Sequence, residues 1–319
     1  MTPAAIPTEH LGKRFGGTTA LEDLTFDVAE GEIFGFLGPN GAGKSTTIRL
    51  LLGIIRPTTG AAWLGGVPVG DVVRAHRLVG YVPGDVALWP QLTGLETLEL
   101  LGAMAGGVDE TYRNELVDRF DLDPSRRVRA YSKGNRQKVA LVAAFMGRAR
   151  ILLLDEPTAG LDPLMEAEFQ ALVRETAAEG RTVFLSSHLL DEVEDLCDRV
   201  AILREGRLVE MATLEQLRAL STTVFEVDLA GATPSFADLP EVVAIEPTRG
   251  GVRLSVTGEP TEVVARLAAA GVRRLHSRAP SLEQIFLTYY DTRSSQRQAV
   301  AAAHGRLVRA EPGGDEERR

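Results

Sequence analysis

Between a short apolar run, residues 33–37, and a helix-patterned stretch, 46–53, the chain carries Gly38, Pro39, Asn40, Gly41, Ala42, Gly43, Lys44, Ser45 and Thr46. This fits GxxxxGK[ST], in which small residues let backbone N–H groups curl around phosphates at the N-terminus of a helix. Lys44 is placed to reach β- and γ-phosphates, and Ser45 to bind Mg²⁺. A plain glycine-rich turn would need neither the strand before it nor the helix after it, which Gly53 and Pro57 close. The chain is thereby held to a strand, loop, helix unit built around phosphates.

A second apolar run, 151–154, ends abruptly in Asp155 and Glu156. Burying two carboxylates at the end of such a strand is costly without a partner. Asp155 suits the Mg²⁺ shell, directly or through water, and Glu156 is placed to polarise the water that attacks a γ-phosphate. The two motifs together imply hydrolysis of a nucleoside triphosphate.

Composition narrows the setting. The 319 residues, 44% hydrophobic and 25% charged, have the make-up of a soluble globular protein with room for one large domain and a smaller one. The longest apolar runs, 50–55, 139–146 and 151–154, fall well short of the roughly 20 residues that a membrane-spanning helix needs. The N-terminus lacks the pattern of a signal peptide, so the expected place is the cytoplasm. A net charge of -9 gives no electrostatic reason to expect nucleic acid as a partner. The single cysteine, Cys197, excludes an intramolecular disulfide and reads as a small core residue on an apolar helix face.

Along the chain, Leu24, Phe26 and Val28 alternate with polar residues as in a half-buried strand, and 33–37 follows as a fully apolar one. From about residue 93 to 130 the apolar positions recur at helical spacing, interrupted by Gly106 and Gly107, which predicts a helical insertion. Runs 151–154 and 182–185 flank a helix-patterned stretch, 163–179, the βαβ alternation of a largely parallel sheet. A turn at Arg204, Glu205 and Gly206 joins two more β-like runs. The pattern changes near residue 220 to short strands at 224–229, 242–246 and 252–256, a helix at 261–270, a strand at 272–276 and a last helix at 281–290. That order suggests a ferredoxin-like split βαβ unit. The last helix presents Leu282, Ile285, Phe286 and Tyr289 on one face, as a core-packing helix does. Residues 292–319 have little to bury and end in charge, the composition of a disordered tail.

One further motif changes the reading. Tyr131, Ser132, Lys133, Gly134 and Asn135 open a helix-patterned stretch, 136–146, and a serine, a glycine and a helix N-terminus make a sound anion site. With the glycine loop and the acid pair in that order, the sequence resembles the ATP-binding subunits of ABC transporters over roughly residues 6–215. The resemblance implies an α/β P-loop NTPase of the ABC type over 1–220, with a helical subdomain at 93–147, followed by a small α+β domain at 221–291. It also implies ATP and Mg²⁺ as cofactors, with Glu156, His188 and Lys44 as catalytic residues. Ser132, Lys133, Gly134 and Asn135 look like the family's signature loop, which binds the γ-phosphate held by the glycine loop of the other subunit. Two chains, expected to be identical copies, would then sandwich two ATP molecules. Asp162, in Ala159-Gly-Leu-Asp162, resembles the loop that couples the two sites. His188 resembles the switch histidine that contacts the γ-phosphate, and Phe15 the aromatic that stacks on adenine.

The sequence departs from the family at Gly84, where a glutamine that touches Mg²⁺ and the attacking water is usual. Asp85, the next residue, is the expected source of the missing oxygen. Ser132-Lys133-Gly134, the altered glutamine loop and the appended C-terminal unit look like the subclass that includes antibiotic-resistance and multidrug exporters. The partner so implied is a separate membrane permease, with export as its task and the inner face of the cell membrane as the docking place. A soluble ABC-type ATPase acting on nucleic acid or ribosomes would show a long heptad coiled coil or two ATPase halves joined by a charged linker, and neither is present. An ATP-gated regulatory module has only the missing glutamine in its favour.

Overall fold

A computed structural model describes residues 4–188, 190–219 and 222–278. The chain divides into two units at Leu214 and Glu215. In the first, an antiparallel sheet runs in the order β2 (Thr18–Ala29), β1 (Ala4–Phe15), β4 (Thr59–Leu64) and β5 (Val67–Pro68). A second sheet runs β10 (Arg207–Thr213), β9 (Arg199–Arg204), β3 (Ile33–Leu37), β8 (Thr182–Ser187), β7 (Ile151–Asp155) and β6 (Val79–Val82). Strands β9, β3, β8, β7 and β6 are parallel, and β10 is the antiparallel edge.

Sequence pattern explains the placing of the strands. β3, β7 and β8 are buried at every residue, as expected for parallel strands covered on both faces. β2 alternates in its second half and buries Leu24, Phe26 and Val28. Phe26 meets Phe34, Phe36 and Phe184 in an aromatic cluster with ring centroids 5.0 to 6.2 Å apart, which joins the two sheets. Such contacts add about 0.5–1.5 kcal/mol each beyond area burial.

Helix α1 (Lys44–Leu51) follows β3, and α2 (Val72–His76) lies between β5 and β6. The predicted helical insertion is α3 (Gly94–Met104), α4 (Glu110–Arg119) and α5 (Lys133–Met146). Thr93 and Glu96 form a reciprocal capping box on α3, and Asp109 caps α4. Arg119, at the end of α4, pairs with Glu168 at 3.0 Å and Glu175 at 2.5 Å on α6 (Pro163–Ala178), fastening the insertion to the sheet-covering helix. α7 (Leu190–Leu196) follows β8, and the buried Cys197 comes just after it. No helix among the described residues is long and apolar enough to cross a membrane.

α8 (Leu214–Ala219) straddles the division between the units. The second unit holds β11 (Thr222–Leu229), β12 (Val242–Pro247), β13 (Gly251–Thr257), α9 (Thr261–Ala269) and β14 (Val272–Arg278). Its antiparallel sheet has the order β12-β13-β11-β14, with Phe225, Val227, Val252, Leu254, Val263 and Leu267 in a core of its own. The expected split βαβ order is followed except that an irregular stretch, 230–241, stands where the first helix would be, and its Phe236 fills the core instead. The helix expected at 281–290 and the tail at 292–319 lie outside the described residues.

Candidate functional site

In a parallel sheet the loops at the carboxyl ends of the strands form the natural crevice for a ligand. Here the loops after β3, β6, β7 and β8 carry the residues singled out by sequence. Gly43 precedes α1 with φ 113°, a conformation open to glycine alone, and a Cβ on it would stand 2.4 Å from Leu21. The turn lets Lys44 open the helix. Its ammonium, buried, donates to the carbonyl of Gly38 at 2.6 Å and of Pro39 at 3.4 Å, and lies 3.9 Å from Glu156 Oε1. Burial pulls its pKa down, while Glu156 and Asp155 push it back up.

Asp155 ends β7 buried, and Ser186 Oγ on the neighbouring strand donates to its Oδ1 at 2.5 Å. Glu156 then turns out of the strand with φ 49°, and its N–H donates to Ser186 O at 3.0 Å. The turn brings Glu156 Oε1 within 3.2 Å of His188 Nδ1. A surface depression is lined by Pro39, Asn40, Gly41, Gly43, Lys44, Ser45 and Thr46, by Glu156, and by Thr18, Thr19, Ala20 and Glu205. Ala42 is buried behind it, with its carbonyl accepting from Gly206 N–H at 2.9 Å. The geometry suits an anion held at a helix N-terminus, with a carboxylate and an imidazole beside it.

The other predicted residues fall in four places. Phe15 ends β1, half exposed, with Lys13 Nζ 4.9 Å over its ring; its register partner on β2, Thr18, lines the depression. Gly84 abuts Asp155, for a Cβ on it would stand 3.4 Å from the carboxylate, whereas Asp85 is exposed. Ser132, Lys133, Gly134 and Asn135 open α5, with Ser132 Oγ accepting from Asn135 N–H at 3.2 Å, and none of them lines the depression. Asp162 caps α6, accepting from Leu164 and Met165 N–H, each at 3.1 Å.

The family described as ABC transporter matches residues 21–159. The linearmycin resistance ATP-binding protein of Bacillus subtilis (strain 168) is 30% identical over 88% of this chain and 97% of its own length. The daunorubicin resistance ATP-binding protein of Streptomyces coeruleorubidus is 34% identical over 90% of this chain and 96% of its own length. The chain belongs to the ABC transporter ATP-binding proteins. It is thus an ATPase subunit homologous to those of drug-resistance and export systems. A solved ATP-binding subunit of an ABC transporter, 35% identical, matches 67% of this chain and 92% of its own with a TM-score of 0.63.

Several residues that line the depression escaped the sequence reading. Thr18, Thr19 and Ala20 reach the depression only through the pairing of β1 with β2, and Glu205 through the β9–β10 turn packing against Ala42; neither leaves a local signal. Ser186 was within reach, because a serine pair ending an apolar strand must find buried partners.

Proposed function

We propose that this ABC subunit hydrolyses ATP to drive a separate membrane permease, and that the cargo is a drug, antibiotic or other small or lipophilic molecule moved outward. The observation that carries the reading is the meeting of Lys44, Asp155, Glu156 and His188 at the carboxyl ends of the parallel strands, with Ser132–Asn135 of the same chain outside the depression there. The triphosphate enters between Gly38 and Thr46, where the first N–H groups of α1 face it. Lys44 supplies a buried positive charge beside it. Glu156 takes the proton of the attacking water, and His188, against the same carboxylate oxygen, holds the γ-phosphate.

Ser45 and Asp155 fit Mg²⁺: both offer oxygen, and a carboxylate as buried as Asp155 calls for a cation. Bound there, Mg²⁺ supplies charge neutralisation of the phosphate oxygens. Asp85 supplies the polar group that Gly84 lacks. Phe15 stacks on adenine at the rim. Ser132, Lys133, Gly134 and Asn135 act on the nucleotide of a second, identical chain, with Asp162 in the loop between, so that ATP closes two copies and hydrolysis releases them. A permease that binds the closed and open pairs differently alternates its access accordingly. The names of the relatives, which speak of linearmycin and daunorubicin resistance, support export. The subunit then works at the inner face of the cell membrane, held by its permease.

The test is affinity purification of the tagged chain from detergent-solubilised membranes, with wild type and Glu156→Gln compared in the presence of ATP. A polytopic protein that comes with it supports the reading and supplies the subunit whose cargo can be assayed. Recovery with ribosomes, nucleic acid or soluble proteins alone sinks the export reading and leaves the ATPase standing.

A further inference from the structure

We propose that Glu192 is a positioning residue for ATP hydrolysis, tying the end of β8 to the loop after Glu156 and so holding His188 against Glu156. Glu192 sits in the first turn of α7, partly buried. Its Oε2 accepts from Ser187 Oγ at 2.9 Å, and its Oε1 accepts from Thr158 Oγ1. Ser187 is the last residue of β8 and precedes His188. Thr158, buried, lies two residues after Glu156, and its carbonyl accepts from Leu161 N–H at 2.9 Å within the turn that leads to Asp162. One carboxylate thus spans the two segments that present Glu156 and His188 to each other.

The chemistry of the link points to precision of placement. Burial pushes the Glu192 carboxyl pKa up, and the hydroxyls of Thr158 and Ser187 pull it back down. An apolar side chain would fill the position without that desolvation cost, but would offer no two-point connection between segments far apart in the chain. Glu192 does not line the depression around Lys44, so the tie bears on the Glu156–His188 pair rather than on nucleotide capture. The same loop continues to Gly160, whose carbonyl oxygen would lie 2.4 Å from a Cβ placed on Gly134. The tie therefore also reaches the segment packed against α5.

This inference rests on the roles given above to Glu156 and His188, and the experiment separates the two. Steady-state hydrolysis by the full chain is measured for wild type, Glu192→Ala, Glu192→Gln, His188→Ala and the double variant His188→Ala/Glu192→Ala, with a thermal midpoint for each. Glu192→Ala is expected to lower kcat about tenfold or more, since slight misplacement of reacting groups costs up to about a hundredfold. KM for ATP should stay within about twofold, because a uniform loss of binding is not what the tie controls. Glu192→Gln should recover most of kcat, its amide accepting from one hydroxyl and donating to the other. In the His188→Ala background Glu192→Ala should cost less than about twofold, because a residue that acts through His188 has nothing left to place. An equal loss with and without His188, a rise in KM with kcat intact, or unchanged turnover in Glu192→Ala overturns the proposal. Unchanged turnover in His188→Ala overturns the hydrolytic role of the histidine itself, and the proposal with it. Should Glu192→Ala fail to fold, Ser187→Ala removes one arm of the tie and keeps the carboxylate, with the same expected dependence on His188.

Discussion

Glu156 holds a left-handed backbone conformation, φ 49°, at a cost of about 1–3 kcal/mol for a residue with a side chain. The strain is sustained by the bond from its N–H to Ser186 O, and it swings the carboxylate out of the strand direction toward His188. Glu156→Gln keeps that shape and removes the base. Phosphate release should fall on the order of a hundredfold or more while ATP affinity in equilibrium binding is kept; near-normal release would take Glu156 out of its role. Asp85→Ala tests the neighbouring departure from the family. Turnover in this variant should need several-fold more Mg²⁺, and an unchanged Mg²⁺ titration would show that nothing replaces the glutamine. Cys197, by contrast, is buried. Burial pushes its thiol pKa up, and the thiolate is the reactive form, so a thiol reagent should label the native chain far more slowly than the unfolded one. Native labelling at the unfolded rate would place Cys197 at the surface. Lys44 was legible through the spacing of the glycine loop and Asp155 and Glu156 as acids that end an apolar run, whereas His188 was legible through the family resemblance. Glu192 and Glu205 were not, because an acid on a short helix or a tight turn looks like any solvated charge until the fold brings Thr158 to the one and the glycine loop to the other.

Continuous apolar runs and clean helical periods were legible to within a residue or two, the former as β3, β7 and β8 and the latter as α6 and α9. β1 was not, and its register explains why. The pairing with β2 shifts between Thr8 and Leu11 and again on either side of Lys13, and His10 takes φ 50°, so the alternation of inward residues slips along the strand. The start of α5 was misplaced for a different reason. Residues 131–135 read as a loop, which put the expected start at 136, yet the Ser132 cap lets the helix begin at Lys133. Gly134 has a further duty in that first turn. A Cβ there would meet the carbonyl oxygen of Gly160 at 2.4 Å, and a backbone oxygen cannot rotate away. Gly134→Ala should therefore force α5 and the loop after β7 apart. The overpacking is expected to lower the denaturation midpoint by about 1–3 kcal/mol of stability and to reduce turnover with it. Wild-type values for both would show that the two segments separate without cost.

At the scale of the whole chain, each unit has core residues of its own among those described: Phe26, Phe34, Phe36 and Phe184 in the first, and Phe225, Leu254 and Leu267 in the second. The division at Leu214 and Glu215 falls a few residues before the change of pattern near residue 220, because α8 crosses it with no glycine, proline or change of composition. Separate cores imply separable stability, and only the first contains the nucleotide loop. Unfolding followed by calorimetry should thus give two transitions. With Glu156→Gln as background, ATP at about a hundred times its Kd should stabilise one of them by about 2.7 kcal/mol and leave the other in place. Phe225→Ala should do the reverse, lowering the ATP-insensitive transition by about 3–5 kcal/mol, the cost of emptying a buried aromatic site. A single transition that moves with both ATP and Phe225→Ala would mean that the units unfold as one, and that the second is part of the ATPase's stability rather than an appendage with a core of its own.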